Sequence, residues 1–473
     1  MSDWKAVADC VLDVQKQVTS ATELVRKSLA AIESGKEYRA IISTTKDRAL
    51  KRAKEIDERI AQGDKVGKLA GVPFIAKDNF LVFGAETTAG SNMLRGFEAP
   101  YQATAINRLE EQGAICVAKA NLDAFAHGSS TENSDYMTTK NPRDKTRVPG
   151  GSSGGSAAAV MLDMAPFALG SDTGGSIRLP ASFTGAVGYK PTHGTVSRSG
   201  VVAMASSTDV IGPLTRRVED AALVLSCMAG KDELDGTTID SSITEEAELT
   251  DLKGQTVGVV KEFMGEGVND GVKRSVRAAV EKLKDAGVNV KEVSLPSLDL
   301  ALACYYVLAP AEISSNLSRY DGQRFEYSSP GAANLHESYV KSRSEGFGAE
   351  AKRRIMIGTY VLSSGYYDAY YRRAQLVRTK IINELAETFE EVDYLVGPVA
   401  PSTAFKIGEN ANDPLQMYLA DIMTVGPSLA GIPAISLPAK EAEGLPVGLH
   451  VMAARQKDNK LLSFAKTIEE VVT

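Results

Sequence analysis

Two serines in glycine-rich surroundings are the residues of this sequence best suited to chemistry. Ser152 lies within Gly150-Gly-Ser-Ser-Gly-Gly-Ser156, and Ser176 ends the similar stretch Gly170-Ser-Asp-Thr-Gly-Gly-Ser176. Glycine lets the backbone approach a ligand closely and turn its N–H groups toward it. The two stretches therefore predict a reaction centre. The structural alternative is a pair of glycine-rich turns between core elements.

Three other serine motifs fit this sequence less well. Gly150-Gly-Ser-Ser-Gly154 satisfies the GxSxG elbow, which follows a strand and needs a later Asp and His. Residues 141–149 before it are typical of a loop, and no downstream histidine has a site-like setting. A phosphate-binding loop would need Gly-Lys-Ser/Thr after the glycines. Ser43-Thr-Thr-Lys46 matches SxxK but lacks a Lys-Thr-Gly partner, so we expect Thr44 or Thr45 to cap the next helix.

A lysine can activate serine if its amine is neutral. The reference pKa of lysine is ~10.4, and a general base works best near ~7–8, so burial must lower the pKa by roughly 3 units. Lys77 follows the apolar run Val72-Pro-Phe-Ile-Ala76, whereas most other lysines lie in charged helical stretches. Asp78 would point to the opposite face of a strand and need not pair with Lys77. Lys77 is the base that the sequence favours, with a lysine reaching to the surface as the alternative.

Three motifs, in this order and spacing, closely resemble the amidase signature family: Val72-Pro-Phe-Ile-Ala-Lys-Asp78, Gly150-Gly-Ser-Ser-Gly-Gly-Ser156 and Gly170-Ser-Asp-Thr-Gly-Gly-Ser-Ile-Arg-Leu-Pro180. The resemblance implies that Ser176 is the nucleophile, Ser152 a bridging serine after a cis peptide bond, and Lys77 the base. It implies an oxyanion hole made by the backbone N–H groups of Thr173, Gly174, Gly175 and Ser176. It also implies an α/β fold with a single large mixed β-sheet covered by helices on both faces.

Further stretches, at 122–134, 352–375 and 413–433, are similar to the branch of that family that hydrolyses glutamine for tRNA-dependent amidotransferases. This similarity implies that Arg354 takes the α-carboxylate of glutamine and Asp421 the α-ammonium, while Tyr305 lines the pocket. It also implies a heterotrimer with B and C subunits, in which a partner holds the tRNA and uses ATP and Mg²⁺. The similarity leaves open whether the complex transamidates Glu-tRNA(Gln), Asp-tRNA(Asn) or both. The competing hypothesis is a stand-alone amidase for a small aliphatic or aryl amide.

The chain departs from that branch at several positions. They leave the lysine and the two serines intact and affect the expected pocket wall and partner contacts. We expect His127 to be a hydrogen-bonded histidine of the pocket wall. The departures lie at Ala124, His127, His193, Thr195, Ser199, Pro310 and Gly426-Pro427.

Composition limits the remaining possibilities. The chain has 473 residues and a net charge of −7, which is unlike the basic surface of most nucleic-acid-binding domains. Its four cysteines and four histidines show no metal-ligand spacing, so no metal is expected. No signal-peptide pattern or membrane-length apolar run is present, and we expect a cytoplasmic protein.

The elements predicted by periodicity alternate between strands and helices, which is typical of one sheet covered by helices. We predict one domain, 1–473, with a helical segment at 1–65 and an α/β core at 66–473 that is mostly helical at 300–390. The predicted strands and helices in the core include a strand within 71–79, helices at 103–112 and 157–167, a strand at 115–118, a β-α-β unit at 255–293, and strands at 394–396 and 434–437.

Overall fold

Eleven strands form one continuous mixed β-sheet in the computed structural model, which describes residues 3–325, 327–411 and 413–472. The strands are β1 (Ile41–Thr44), β2 (Pro73–Lys77), β3 (Ile115–Ala120), β4 (Phe167–Asp172), β5 (Val187–Lys190), β6 (Val210–Thr215), β7 (Thr256–Val260), β8 (Asn289–Val293), β9 (Tyr394–Pro398), β10 (Ala434–Ala442) and β11 (Leu445–Ala453). Their order across the sheet is β1-β3-β2-β4-β6-β5-β10-β11-β9-β7-β8.

The sheet combines two parallel regions with antiparallel pairs. β2 lies parallel between β3 and β4, and β7 lies parallel between β8 and β9. The other neighbouring pairs are antiparallel. Parallel neighbours need crossover connections, and helices supply several of these in the chain. The predicted mixed α/β sheet is confirmed.

Fifteen α-helices accompany the sheet within the described residues. They are α1 (Val7–Gln15), α2 (Ala21–Ser34), α3 (Lys46–Ala61), α4 (Thr104–Glu111), α5 (Gly154–Met161), α6 (Arg178–Thr184), α7 (Val218–Met228), α8 (Asp270–Asp285), α9 (Ala301–Leu317), α10 (Leu335–Gly346), α11 (Ala349–Leu362), α12 (Arg373–Glu391), α13 (Pro414–Leu419), α14 (Val425–Ala430) and α15 (Asp458–Val472). Within these ranges, no helix combines the length and apolar character that a membrane span requires.

Both faces of the sheet are buried. In β9, Tyr394 and Val396 belong to one apolar cluster, and Leu395 between them belongs to another. Because successive side chains of a strand point to opposite faces, the two clusters lie on opposite sides of the sheet at β9. All three residues are fully buried, which explains why β9 is a continuous apolar run instead of an alternating one.

The predicted helix at 157–167 is wrong at its C-terminal end. Helix α5 ends at Met161, Asp163 adopts a left-handed φ of 55°, and Phe167 begins the central strand β4. The Phe167 ring stacks on Phe74 of β2 with 5.3 Å between ring centroids. A short run of buried apolar residues has no periodicity that distinguishes a helix from a strand. The sequence pattern therefore predicted one helix where the structure has α5 followed by β4.

The predicted cap of α3 is also different in the structure. Thr45 precedes α3, but its hydroxyl donates to the carbonyl of Cys116 on β3 at 2.6 Å and caps no helical N–H. The side chain therefore fastens the start of the helix to the sheet. The predicted β-α-β unit is present as β7, α8 and β8, with Val272, Val276, Val280 and Leu283 buried on one face of α8.

Candidate active site

Parallel pairing of β2 and β4 assembles the first part of the site. The carboxyl ends of parallel strands lie at the same edge of a sheet, so the end of β2 brings Lys77 beside Ser171 of β4. Helix α5 packs against both strands and begins at Gly154, which places Ser152 and Ser153 at its N-terminus over Lys77. The peptide bond between Gly151 and Ser152 is cis, as the resemblance implied.

Lys77 is completely buried among hydroxyl groups. Its Nζ lies 2.8 Å from Ser152 Oγ, 2.9 Å from Ser153 Oγ and 2.9 Å from Ser171 Oγ, and 3.3 Å from the Ser171 carbonyl oxygen. Burial lowers the pKa of Lys77 to about 7, although the charges of Asp123, Asp172 and Asp209 oppose this shift. A lysine with this pKa is about half neutral near pH 7 and can then accept a proton.

The neighbouring Asp78 does not neutralise this effect. It points away from Lys77, as strand alternation predicted, and forms a fully buried ion pair with Lys119 of β3 at 2.7 Å. Asp78 therefore joins the end of β2 to β3. It leaves the Lys77 amine without a carboxylate partner among the described residues. This separation allows desolvation to decide the pKa of Lys77.

Two serines that contact Lys77 were missed from the sequence. Both lie in the glycine-rich stretches, but the sequence pattern indicated no role for Ser153 or Ser171. Asn79 also donates to Ser171 Oγ at 3.0 Å and holds that hydroxyl in place. Strand alternation indicates only which face a residue occupies, so these contacts depend on how β2, β4 and α5 are stacked.

Ser176 lies in the turn between β4 and α6. Asp172 accepts hydrogen bonds from the backbone N–H of Ile177 at 3.1 Å and from the guanidinium of Arg178 at 2.9 and 3.0 Å. Arg178 also donates to Thr424 and Ser428, which anchors the turn to α14 and its N-cap. The whole ion pair is buried, so removing either charge would leave the other uncompensated.

The turn presents free backbone donors beside the serine. Within the described ranges, the N–H groups of Thr173, Gly174, Gly175 and Ser176 donate to no other residue of the chain. Ser176 is 8% exposed, whereas Ser152 and Lys77 are fully buried. Ser176 Oγ makes no hydrogen bond to a described residue, and its loop is joined to the other serine loop by Ser153 N–H donating to the Ser176 carbonyl at 3.1 Å. The hydroxyl is therefore open to a ligand.

Two glycines before Ser176 are required by space. Gly175 has a φ of 150°, and a Cβ there would collide with Thr424 Oγ1. A Cβ on Gly174 would lie 2.7 Å from the Tyr305 ring. Tyr305 therefore packs directly against the turn that carries the free N–H groups.

Arg354 of α11 is buried with its terminal nitrogens unused. Its Nε donates to Glu350 Oε1 at 2.8 Å, and Tyr418 donates to the same oxygen at 3.1 Å. The guanidinium carbon lies 5.5 Å from the ring centroid of Tyr306 and 5.7 Å from that of Tyr418. The two terminal nitrogens donate no hydrogen bond inside the described part of the chain. This geometry leaves a rigid fork suited to a carboxylate.

Asp421 lies close to the serine turn. Ser129 donates to Asp421 Oδ2 at 2.7 Å, and a Cβ on Gly175 would be 3.4 Å from Oδ1. Burial raises the pKa of Asp421 to about 7, while the Ser129 hydrogen bond and the charge of Arg354 oppose this rise. Asp421 Oδ1 accepts no hydrogen bond from a described residue and can accept one from a cationic ligand.

The structure thus brings the predicted residues into one neighbourhood, with Lys77 and Ser152 in direct contact and Tyr305 and Asp421 against the glycines before Ser176. A cavity of about 260 Å³ adjoins this neighbourhood, with Asp123, His127, Glu350, Arg354 and Tyr418 among its lining residues. The described residues hold no group of three or more His, Cys, Asp or Glu side chains placed to bind a metal.

His127 is not the hydrogen-bonded histidine that we expected from the sequence. It is fully buried at the cavity, and neither ring nitrogen has a partner among the described residues. Of the other departures, Ser199 lines a second, polar cavity of about 310 Å³ that reaches Ser171 and Asn79. Pro310 lies inside α9, where its carbonyl abuts Gly358 of α11, and so affects how these two helices pack.

Comparison with known proteins gives the family of this architecture. The amidase family model matches residues 23–462, which is most of the chain. The chain belongs to the amidase family. The recognition made from the three motifs is therefore confirmed.

Relatives within the family share about half of the sequence. The chain is 51% identical to the A subunit of glutamyl-tRNA(Gln) amidotransferase from Thermoanaerobacter pseudethanolicus, over 97% of this chain and 94% of the relative. It is 49% identical to the protein of the same name from Geobacillus kaustophilus, over 97% and 95%. The crystal structure of the corresponding protein from Thermotoga maritima matches with a TM-score of 0.78 and 40% identity, over 95% of this chain and 91% of that chain. These similarities favour an amidotransferase subunit over a stand-alone amidase.

Proposed function

We propose that this chain is the glutamine-hydrolysing subunit of a tRNA-dependent amidotransferase. The observation that carries the proposal is Lys77, a buried amine with a pKa near 7 that contacts Ser152 inside an amidase-family fold. Relatives of the chain at about 50% identity are A subunits of glutamyl-tRNA(Gln) amidotransferases, which supports glutamine as the substrate. The reaction is hydrolysis of the side-chain amide, which yields glutamate and ammonia.

The covalent step uses Lys77, Ser152 and Ser176. Neutral Lys77 accepts the proton of Ser152 Oγ, Ser152 accepts the proton of Ser176, and Ser176 Oγ bonds to the amide carbon. The free N–H groups of residues 173–176 stabilise the oxyanion, and one such donor is typically worth about 10²–10³ in rate. The C–N bond then breaks, and the proton returns through Ser152 to the leaving ammonia. Water hydrolyses the resulting ester on Ser176 and releases glutamate.

Substrate selection uses the two buried charges. The free fork of Arg354 can bind the α-carboxylate of glutamine through two parallel hydrogen bonds, which fixes orientation as well as charge. Asp421 Oδ1 accepts a hydrogen bond from the α-ammonium, while Ser129 holds the other carboxylate oxygen. Tyr305 packs against Gly174 of the oxyanion turn, next to this pair. A neutral amide without these two groups would gain little from either residue.

The ammonia is used by a partner. The B subunit binds the aminoacyl-tRNA and uses ATP and Mg²⁺, and a small C subunit completes the heterotrimer. The net charge of −7 on this chain agrees with the tRNA being held elsewhere. The name of the relatives supports Glu-tRNA(Gln) as the acceptor, and the complex acts in the cytoplasm.

We expect activity to fall on the acidic side of pH 7. Lys77 must be neutral and Asp421 ionised in the free enzyme, and both pKa values lie near 7. Raising the pH through 7 therefore increases kcat/KM, and its logarithm should approach a slope of 2 at low pH. Bound glutamine keeps Asp421 ionised, so log kcat should show a slope of only 1. Steady-state kinetics between about pH 5 and 9, a range that brackets both pKa values, test this prediction. A flat profile would contradict it.

Replacing Arg354 by Ala should change substrate selection. We expect the KM for glutamine to rise about 10- to 100-fold, the range for a lost hydrogen-bonded charge pair, with kcat nearly unchanged. Hydrolysis of propionamide, which lacks both charged groups, should change little. Lys352→Ala is a matched control because Lys352 is exposed on the same helix and is not among the lining residues of this cavity. Equal losses on both amides would contradict the pocket assignment.

The experiment that tests the function compares the chain alone with the assembled complex. We expect glutaminase activity to increase when B and C subunits, Glu-tRNA(Gln) and ATP are added, with ammonia transferred to the tRNA-linked glutamate. Released glutamate and amidated tRNA are measured in the same reaction. A chain that hydrolyses small amides but shows no stimulation and no transfer would instead be a stand-alone amidase.

A further inference from the structure

The unpaired imidazole of His127 is the strongest unexplained feature beside the active site. Its backbone is fixed, because its N–H donates to the Ala124 carbonyl at 3.0 Å and its own carbonyl accepts from Asn133 at 2.7 Å. The side chain is fully buried, yet both ring nitrogens lack a partner in residues 3–325, 327–411 and 413–472. A buried polar group without a partner is costly, so a side chain held this way is suited to a ligand.

The cavity of about 260 Å³ shows which ligand group reaches His127. Arg354 lines the same cavity with its terminal nitrogens free, whereas Asp421 lies outside the lining residues. Two of the three cavity carboxylates are already used, Asp123 by the N–H groups of Thr131 and Asn133 and Glu350 by arginines. The third, Glu132, accepts the Gly408 N–H through Oε1 only. The carboxylate end of an amino acid is therefore the group that fits between His127 and Arg354.

The charge state of His127 agrees with this position. Burial, together with the positive charge of Arg354, holds the pKa of His127 well below its usual value, so the ring is neutral near pH 7. A neutral imidazole has one N–H donor, which can reach a carboxylate oxygen without adding a second charge. Phe125 and Ala126 adopt left-handed φ values of 53° and 63° immediately before it, and this turn directs residue 127 to the cavity.

We infer that His127 is a specificity-determining residue that donates a hydrogen bond to the substrate α-carboxylate alongside Arg354. This inference rests on the proposed glutaminase function and extends it to a residue that the motifs did not predict. One oxygen of the carboxylate binds the Arg354 fork, and the other accepts the His127 N–H. The rival occupant is an ammonium group, because Glu132 Oε2 at the same cavity is also buried without a partner among the described residues.

The test uses three amides and the assembled complex. Glutamine has both α-groups, glutarate monoamide lacks the α-amino group, and 4-aminobutanamide lacks the α-carboxylate. We expect His127→Met to lower kcat/KM for glutamine and glutarate monoamide about 10- to 100-fold through KM, the range for a hydrogen bond to a charged group. Hydrolysis of 4-aminobutanamide should keep its rate, and His127→Gln, which restores an N–H donor, should recover most of the loss.

Stability gives a second measurement that separates binding from structure. Because both ring nitrogens are unpaired in the free protein, His127→Met should leave the Tm equal or higher, whereas loss of a structural histidine would lower it. His336→Met, on the exposed face of α10, is the matched control and should change neither kinetics nor Tm. Equal losses on all three amides, a loss confined to the two amines, or no loss at all would overturn the inference. A wild-type complex without glutaminase activity would overturn the proposed function instead.

Discussion

Ser176→Ala is expected to lower glutamine hydrolysis by about 10⁴-fold or more, since removing a covalent nucleophile leaves only binding and oxyanion stabilisation. The Ser176 hydroxyl makes no hydrogen bond to a described residue, so its loss should not weaken the fold. The Tm should stay within a few degrees of the wild type. Released glutamate, measured with the assembled complex and glutamine as the only nitrogen donor, gives the size of the loss.

The control for this variant is ammonia supplied directly. If this chain only produces ammonia for a partner, the Ser176→Ala complex should still amidate Glu-tRNA when an ammonium salt replaces glutamine. Loss of amidation under both conditions would indicate a damaged assembly. Glutaminase activity at the wild-type level would show that Ser176 is not the nucleophile.

Lys77→Met should lower kcat for glutamine by about 10²–10⁴-fold, the usual contribution of a general base. Methionine is similar in length and apolar, so it fits the buried position without leaving a charge. The remaining activity should lose the pH dependence that we expect Lys77 to give the wild type, because burial lowers the pKa of that amine to about 7. Glutamine turnover at saturating substrate, followed across pH, provides both measurements.

Lys77→Arg distinguishes a base from a positive charge. A guanidinium has a pKa above about 12 and stays protonated even when buried, so it cannot accept the proton of Ser152. We expect this variant to be as inactive as Lys77→Met. An active Lys77→Arg protein would mean that position 77 supplies charge or positioning, and the proton relay through Ser152 would then be wrong.

Much of the proposed site could be predicted because its residues lie in short motifs of the sequence. The glycines around Ser152 and Ser176 and the apolar run before Lys77 predicted the reactive groups, and alternation along β2 correctly separated Asp78 from Lys77. Periodicity predicted the unit of β7, α8 and β8. It failed at 157–167, because the boundary between α5 and β4 lies within one buried apolar run.

Other features depended on packing between distant segments. The use of Ser153 and Ser171 by Lys77 requires β2, β4 and α5 to meet, and the free fork of Arg354 requires Glu350 to hold Nε alone. We expected His127 to be hydrogen-bonded, but neither of its ring nitrogens has a partner among the described residues. Hydrogen-bond satisfaction is a property of three-dimensional neighbours, so the local pattern could not reveal it.

The sequence by itself determined which side chains are available for catalysis, and it predicted a lysine, not a histidine, as the base. The tertiary structure decided how that lysine becomes neutral, because its pKa depends on complete burial away from any paired carboxylate. It also decided how the residues that we propose for substrate binding are placed, since Arg354, Asp421 and the serine turn converge from separate helices and loops. The sequence specifies the residue types. The burial of Lys77 and the approach of Arg354 and Asp421 to the serine turn arise only when the sheet and its helices pack together.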